Sequence, residues 1–98
     1  MNNQFKLKSI QDGIQLGGSL VYANASELLQ EVTPLLEGLQ SNEIKIICGE
    51  VTRIDSAGIA LLIEWKRWCA NNNKQCKIEG LQKQANSLIE TYGLQEVL

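Results

Sequence analysis

The sequence predicts one mixed α/β domain with the element order β-β-α-β-α-β-α. Three observations carry that expectation. Residues 5–10 and 14–16 alternate apolar and polar with period two, as strands with one buried face do. An almost continuous apolar run at residues 44–48, IKIIC, stands just before a long helical pattern. From there helical stripes alternate with strand-like segments, and a helix joining two strands implies a parallel crossover. The opening pair is antiparallel, so the sheet is mixed, with the helices packed against it.

Taken in order, Gln11-Asp12-Gly13 is a turn signal between the first two strands, which form a hairpin. Gly17-Gly18 loosens the end of the second strand and lets the chain bend. Asn24, with Glu27 three residues on, makes a capping-box-like start for the first helix. Leu28, Leu29, Val32, Leu35, Leu36 and Leu39 then recur at helical spacing on one side, as a core-facing stripe. Pro34 lies inside this pattern, where it removes a backbone donor and crowds the preceding turn. A kink is expected there, or two short helices meeting near Thr33. Residues 43–48 read as a central strand covered on both faces, and residues 49–53 carry the chain to the next helix.

That helix, from about residue 56 to 72, is preceded by Ile54-Asp55-Ser56-Ala57-Gly58. Asp55 is a good N-cap, because its carboxylate can accept from backbone N–H groups that the first turn leaves unpaired. Ser56 falls beside the positive end of the helix macrodipole. Ser56, Ala57 and Gly58 are small, so the helix start is low and another backbone can come close. Farther along, the apolar positions span roughly 220°, against the ~100° of a one-sided surface helix. Trp65 and Trp68 carry the excess. Either both indoles close the edge of the core, or their stripe is a partner surface of the kind in which tryptophan is enriched. Residues 71–74 end the helix in a polar turn, and residues 75–79 alternate again as an edge-like strand. Ala85, Leu88, Ile89 and Tyr92 form the stripe of a last helix, with Gly93 placed as its C′ residue and Leu94 as the accompanying hydrophobic contact.

Composition narrows the function classes. A net charge of −2 leaves no broad basic surface for nucleic acid. The longest apolar runs are a few residues, too short to span a membrane, and the N-terminus lacks the apolar core of a signal peptide. A cytoplasmic protein with no direct membrane insertion is expected. Three cysteines, Cys48, Cys69 and Cys76, form no CxxC pair and read as reduced, buried thiols rather than a metal site. There is no histidine, which removes the commonest general base and metal ligand. Nothing is present to activate Ser56 as a nucleophile, and Gly17-Gly18 is not followed by the Gly-Lys-Ser/Thr of a phosphate loop. No catalytic residue, metal or cofactor is expected; the chain should work by binding.

Residues 51–62, VTRIDSAGIALL, resemble the signature of STAS domains, the fold of bacterial anti-sigma factor antagonists and of sulfate-transporter tails. The longer stretch DSAGIALLIEW, residues 55–65, is most similar to the STAS subunits of Mla phospholipid transport systems. The element order fits a single STAS domain over residues 1–98. The resemblance implies a non-catalytic cytoplasmic subunit, peripheral to the inner membrane, that binds and supports the ABC-type ATPase of a phospholipid transporter. It implies contact through Thr52, Arg53, Asp55, Ser56, Ala57 and Gly58, to which the apolar excess adds Trp65 and Trp68. The more distant resemblance, to anti-sigma factor antagonists, implies a switch in which Ser56 is phosphorylated. Those proteins usually carry Gly-x-Leu-Asp after the second strand and end the third with Asp-Leu-Ser. Here Leu20 is followed by Val21, and Ile47-Cys48-Gly49 stands at the other position. Both departures take acidic groups away from Ser56.

Overall fold

The computed structural model of the chain describes residues 4–94 and 97–98. It contains β1 (Phe5–Ile10), β2 (Gly13–Leu20), α1 (Tyr22–Glu37), β3 (Glu43–Ile54), α2 (Ser56–Asn71), β4 (Gln75–Glu79) and α3 (Lys83–Thr91), the order the sequence predicts. The four strands form one sheet in the order β1-β2-β3-β4. β1 pairs antiparallel with β2, while β2, β3 and β4 run parallel.

Both crossovers, through α1 and α2, step in the same direction across the sheet. Right-handed connections then place both helices on the same face. Ile14, Leu16, Ile44, Ile46 and Cys48 point to that face and are fully buried beneath Leu28, Val32, Leu36, Ile59 and Leu62. Each such aliphatic side chain stabilises the fold by about 1.5–3 kcal/mol. The opposite face stays open. Lys45, expected inside a doubly covered strand, is exposed, and Ile47 is half-buried. The apolar run at residues 44–48 therefore does not mark burial on both faces; β3 is a one-sided strand. It is also longer than expected, continuing through residues 49–53 to Ile54.

β2 likewise continues through Gly17-Gly18 rather than ending there. The β2–β3 register slips between Gln15 and Gly17 and again between Gly18 and Ser19. The pairing on either side shows the result: Gln15 faces Ile47, whereas Leu20 faces Ile54. β3 thus holds two more residues than β2 over the same span. Gly18 sits at φ +75°, a left-handed conformation in which an added Cβ would collide with the Gln4 carbonyl oxygen.

α1 differs from expectation at both marked positions. It begins at Tyr22, with Val21 in the N-cap place and no side-chain cap of its own. Asn24 is instead buried inside the first turn and donates from Nδ2 to the Ser19 carbonyl at 2.7 Å. The helix also runs through Pro34 without division. Pro34 lies one turn from the end, and the Thr33 hydroxyl donates to the Leu29 carbonyl at 2.8 Å beside it. Gln30, which loses the Pro34 N–H as a partner, is exposed, so water can replace that bond. Leu29, expected in the core stripe, is 44% exposed. At the far end of the chain, Gly93 adopts φ +68° and the Gly93 and Leu94 amides donate back to Glu90 and Ile89 at 3.0 and 2.9 Å. This is the Schellman arrangement that its sequence position predicts.

All three cysteines are free, and Cys48 and Cys69 are buried. Burial pushes the Cys48 thiol from 9.0 up to about 12. Cys76 is also raised to about 12, first by burial and then by the adjacent Cys69. The unfolded chain releases these protons earlier than the folded one. Stability is therefore fully present below about pH 9 and falls as pH rises toward about 12. Urea midpoints should be level from neutral pH to about pH 8.5 and drop by about pH 10.5, with a shallower drop in Cys48→Ala.

Candidate partner-docking site

The C-terminal ends of β2 and β3 lie side by side, with Leu20 opposite Ile54. Each strand passes directly into a helix, so the N-termini of α1 and α2 emerge next to each other at one end of the sheet. Asp55 stands between them. Its backbone amide donates to the Leu20 carbonyl at 3.3 Å. Its Oδ1 accepts from the Gly58 amide at 3.1 Å, the N-cap bond that the sequence predicts. Its Oδ2 accepts from the Tyr22 amide at 3.0 Å. One carboxylate thus caps two helices, and α1 receives from Asp55 the cap that Val21 cannot provide.

Gly58 permits the approach. It is buried, and a Cβ there would collide with the Leu20 carbonyl oxygen and lie 2.7 Å from Ile54 Cγ1. Ser56 is exposed and Ala57 half-buried at the mouth of the junction. Beside them Tyr22 is 81% exposed, the most exposed large hydrophobic side chain among the described residues. The result is a low platform of small side chains, flanked by an aromatic ring and underlain by two helix starts. Both Asp55 oxygens accept from backbone N–H groups, so the carboxylate holds the shape of the junction.

The remaining predicted contact residues divide. Thr52 is exposed, and its hydroxyl donates to the Gly18 carbonyl at 3.3 Å, one of the bonds that bridges the β2–β3 irregularity. Arg53 is exposed on the same strand, opposite Ser19. Trp65 is a correction. Its side chain is 1% exposed and belongs to the core, so it offers no docking surface. The wide apolar arc of α2 arises because the helix is covered by the sheet, by α1 and by α3. Trp65 Nε1 has no hydrogen-bond partner among the described residues, which makes the indole an apolar filler carrying a polar cost. Trp68 is half-buried and packed against the core. At a 1.5 Å rise per residue it stands roughly 18 Å along α2 from Ser56, so it is not part of the platform.

Tyr22 escaped the sequence reading because the Asn24 cap placed it before the helix. The signal was the position of Tyr22, an aromatic directly after the last residues of a strand and outside the Leu28, Val32 and Leu36 stripe of the helix that follows. Among the described residues no group of three or more His, Cys, Asp or Glu side chains is arranged to hold a metal ion, and no helix is long and apolar enough to cross a membrane.

A family model described as the Mlab-type STAS domain matches residues 3–98. The chain belongs to the STAS domain family. Solved STAS-fold structures agree. The anti-sigma factor antagonist SpoIIAA in its unphosphorylated form superposes with a TM-score of 0.67 at 11% identity, over 89% of this chain and 82% of that one. A sulfate transporter family protein from Wolinella succinogenes gives 0.69 at 17% identity, over 89% and 70%. At these identities the likeness is one of fold. No curated protein matches the chain.

Two stability measurements test this geometry. In an exposed helix Gly→Ala would stabilise by about 1 kcal/mol; Gly58→Ala should instead destabilise by about 1–3 kcal/mol, because the Leu20 carbonyl must move. Trp65→Ala should cost about 3–5 kcal/mol, as a core truncation, and Trp68→Ala clearly less, both read from urea midpoints.

Proposed function

We infer that this STAS domain is a non-catalytic subunit that binds and supports the ABC-type ATPase of a phospholipid transporter, docking through the paired helix starts at Asp55 and Ser56. The observation that carries this reading is the match of the Mlab-type family model over residues 3–98, joined to an exposed platform whose members are Ser56, Ala57 and Tyr22. The small residues let a partner backbone come within hydrogen-bond distance of the junction. Tyr22 supplies a rigid aromatic anchor of the type that dominates interface energies. Arg53 presents a planar fork suited to a carboxylate on the ATPase, and Thr52 lies at the edge of the same patch. On this reading the chain is cytoplasmic and reaches the inner membrane only through its partner.

A second reading, an anti-sigma factor antagonist switched by phosphorylation of Ser56, draws on the exposure of that serine in the first turn of α2. The Mlab-type family match favours the first reading. So do Val21 and Ile47-Cys48-Gly49, which stand where the anti-sigma factor antagonists usually carry acidic residues.

Pull-down of the tagged protein from detergent-solubilised native membranes separates the readings. Recovery of an ABC ATPase with its membrane partner is expected from the wild type and from Ser56→Ala. It should be lost from Ser56→Arg, whose bulk and buried charge cost several kcal/mol at an interface. Tyr22→Ala should weaken recovery roughly tenfold or more. Retention of the complex by Ser56→Arg would exclude this surface. A serine kinase or anti-sigma factor in the pull-down, with a fraction of the protein heavier by one phosphate, would establish the switch.

A further inference from the structure

We propose that Asp55 is a positioning residue that couples the two halves of the platform, so that the placement of Tyr22 depends on the state of the Asp55–Ser56 junction. Four observations carry this. Asp55 Oδ2 accepts from the Tyr22 amide at 3.0 Å, across 33 positions of sequence. Oδ1 accepts from the Gly58 amide at 3.1 Å. Val21, in the N-cap place of α1, supplies no side-chain bond. Asn24, in the first turn of α1, donates from Nδ2 to the Ser19 carbonyl at 2.7 Å.

The chemistry of the coupling is specific to aspartate. Two helix starts need two acceptors at the end of a short side chain, and a carboxylate has them. Asparagine has one acceptor oxygen and an NH₂ that can only donate, so it serves one helix and not both. Asparagine is as good an N-cap as aspartate for a single helix, which makes Asp55→Asn a selective disconnection and not a general disruption. The N–H left without a partner should be that of Tyr22, because the Gly58 bond closes within the same turn.

A negative charge placed at position 56 has a related effect. It draws on the same amides that hold the Asp55 carboxylate and repels the carboxylate itself. The message is received at Tyr22, on a different helix. The surface then behaves as a single unit in which Ser56 and Tyr22 are presented together or not at all. The coupling is a property of the free domain. Its consequence for a partner rests on the docking reading above.

Amide hydrogen exchange on the free protein tests it, with the Ile46 amide in the buried centre of β3 as the reference for global stability. In Asp55→Asn the Tyr22 amide should exchange roughly 3- to 10-fold faster than in the wild type, the scale set by loss of one cap. Gly58, whose bond remains, should stay within about twofold, and Ile46 should rise by no more than the factor at Tyr22. Ser56→Asp should also speed Tyr22. Unchanged exchange at Tyr22 in Asp55→Asn overturns the proposal, and so does an equal rise at Tyr22 and Gly58, which would signify a general disruption of both helix starts. Partner binding is read separately on the same variants. Faster exchange at Tyr22 with full recovery of the partner would uphold the coupling and remove Tyr22 from the docking surface.

Discussion

Two parallel strands that end side by side, each running straight into a helix, bring the unpaired amides of two first turns into one small volume. That electrostatic crowding has to be neutralised, and Asp55 does it with one carboxylate. The rest of the platform follows. The carboxylate can sit between the helices only if α2 starts close to β2, which requires Gly58 against the Leu20 carbonyl. With the cap supplied from α2, the residue before α1 is released from capping, and Val21 is buried there instead. Tyr22, tied down at its backbone, is then free to project its ring into solvent.

The same topology explains why the molecule has two unlike sides. Crossovers of one hand, stepping in one direction, gather α1 and α2 over one face and leave the other bare. Lys45 and Lys77 lie on the bare face beside Glu43, and Lys77 pairs with Glu43 at 3.7 Å. Charge on an uncovered face and on its edge strands discourages association with other sheets. The helix starts lie at the end of the sheet, on the layer boundary, where a partner can reach them without displacing core side chains.

Much of this was legible in the sequence. Period two at residues 5–10, the stripe of Leu28, Val32 and Leu36, and the Gly93 stop each act locally, and each produced the expected element. The Asp55 cap was legible for the same reason: its bond to Gly58 spans one turn. What the sequence did not reveal depended on partners far along the chain. Asn24 looks like a cap by its spacing to Glu27, but the amide at that end of α1 is satisfied by Asp55, and the Asn24 side chain is drawn to Ser19. The burial of Trp65 follows from α1 and α3 closing over α2, which periodicity within α2 cannot distinguish from a partner surface. The apolar run at residues 44–48 suggested two covered faces, but the handedness of the crossovers leaves one face to solvent.

The two extra residues that β3 holds relative to β2 have a meaning beyond sheet irregularity. Side chains along a strand alternate between faces, so adding or removing one residue reverses the direction of everything after it. Whether Asp55 turns toward Tyr22 or away from it is therefore decided by a count. A single deletion at residue 49 or 50 would leave every residue of the platform in the chain and still dismantle it. The platform is written in this protein partly as a length.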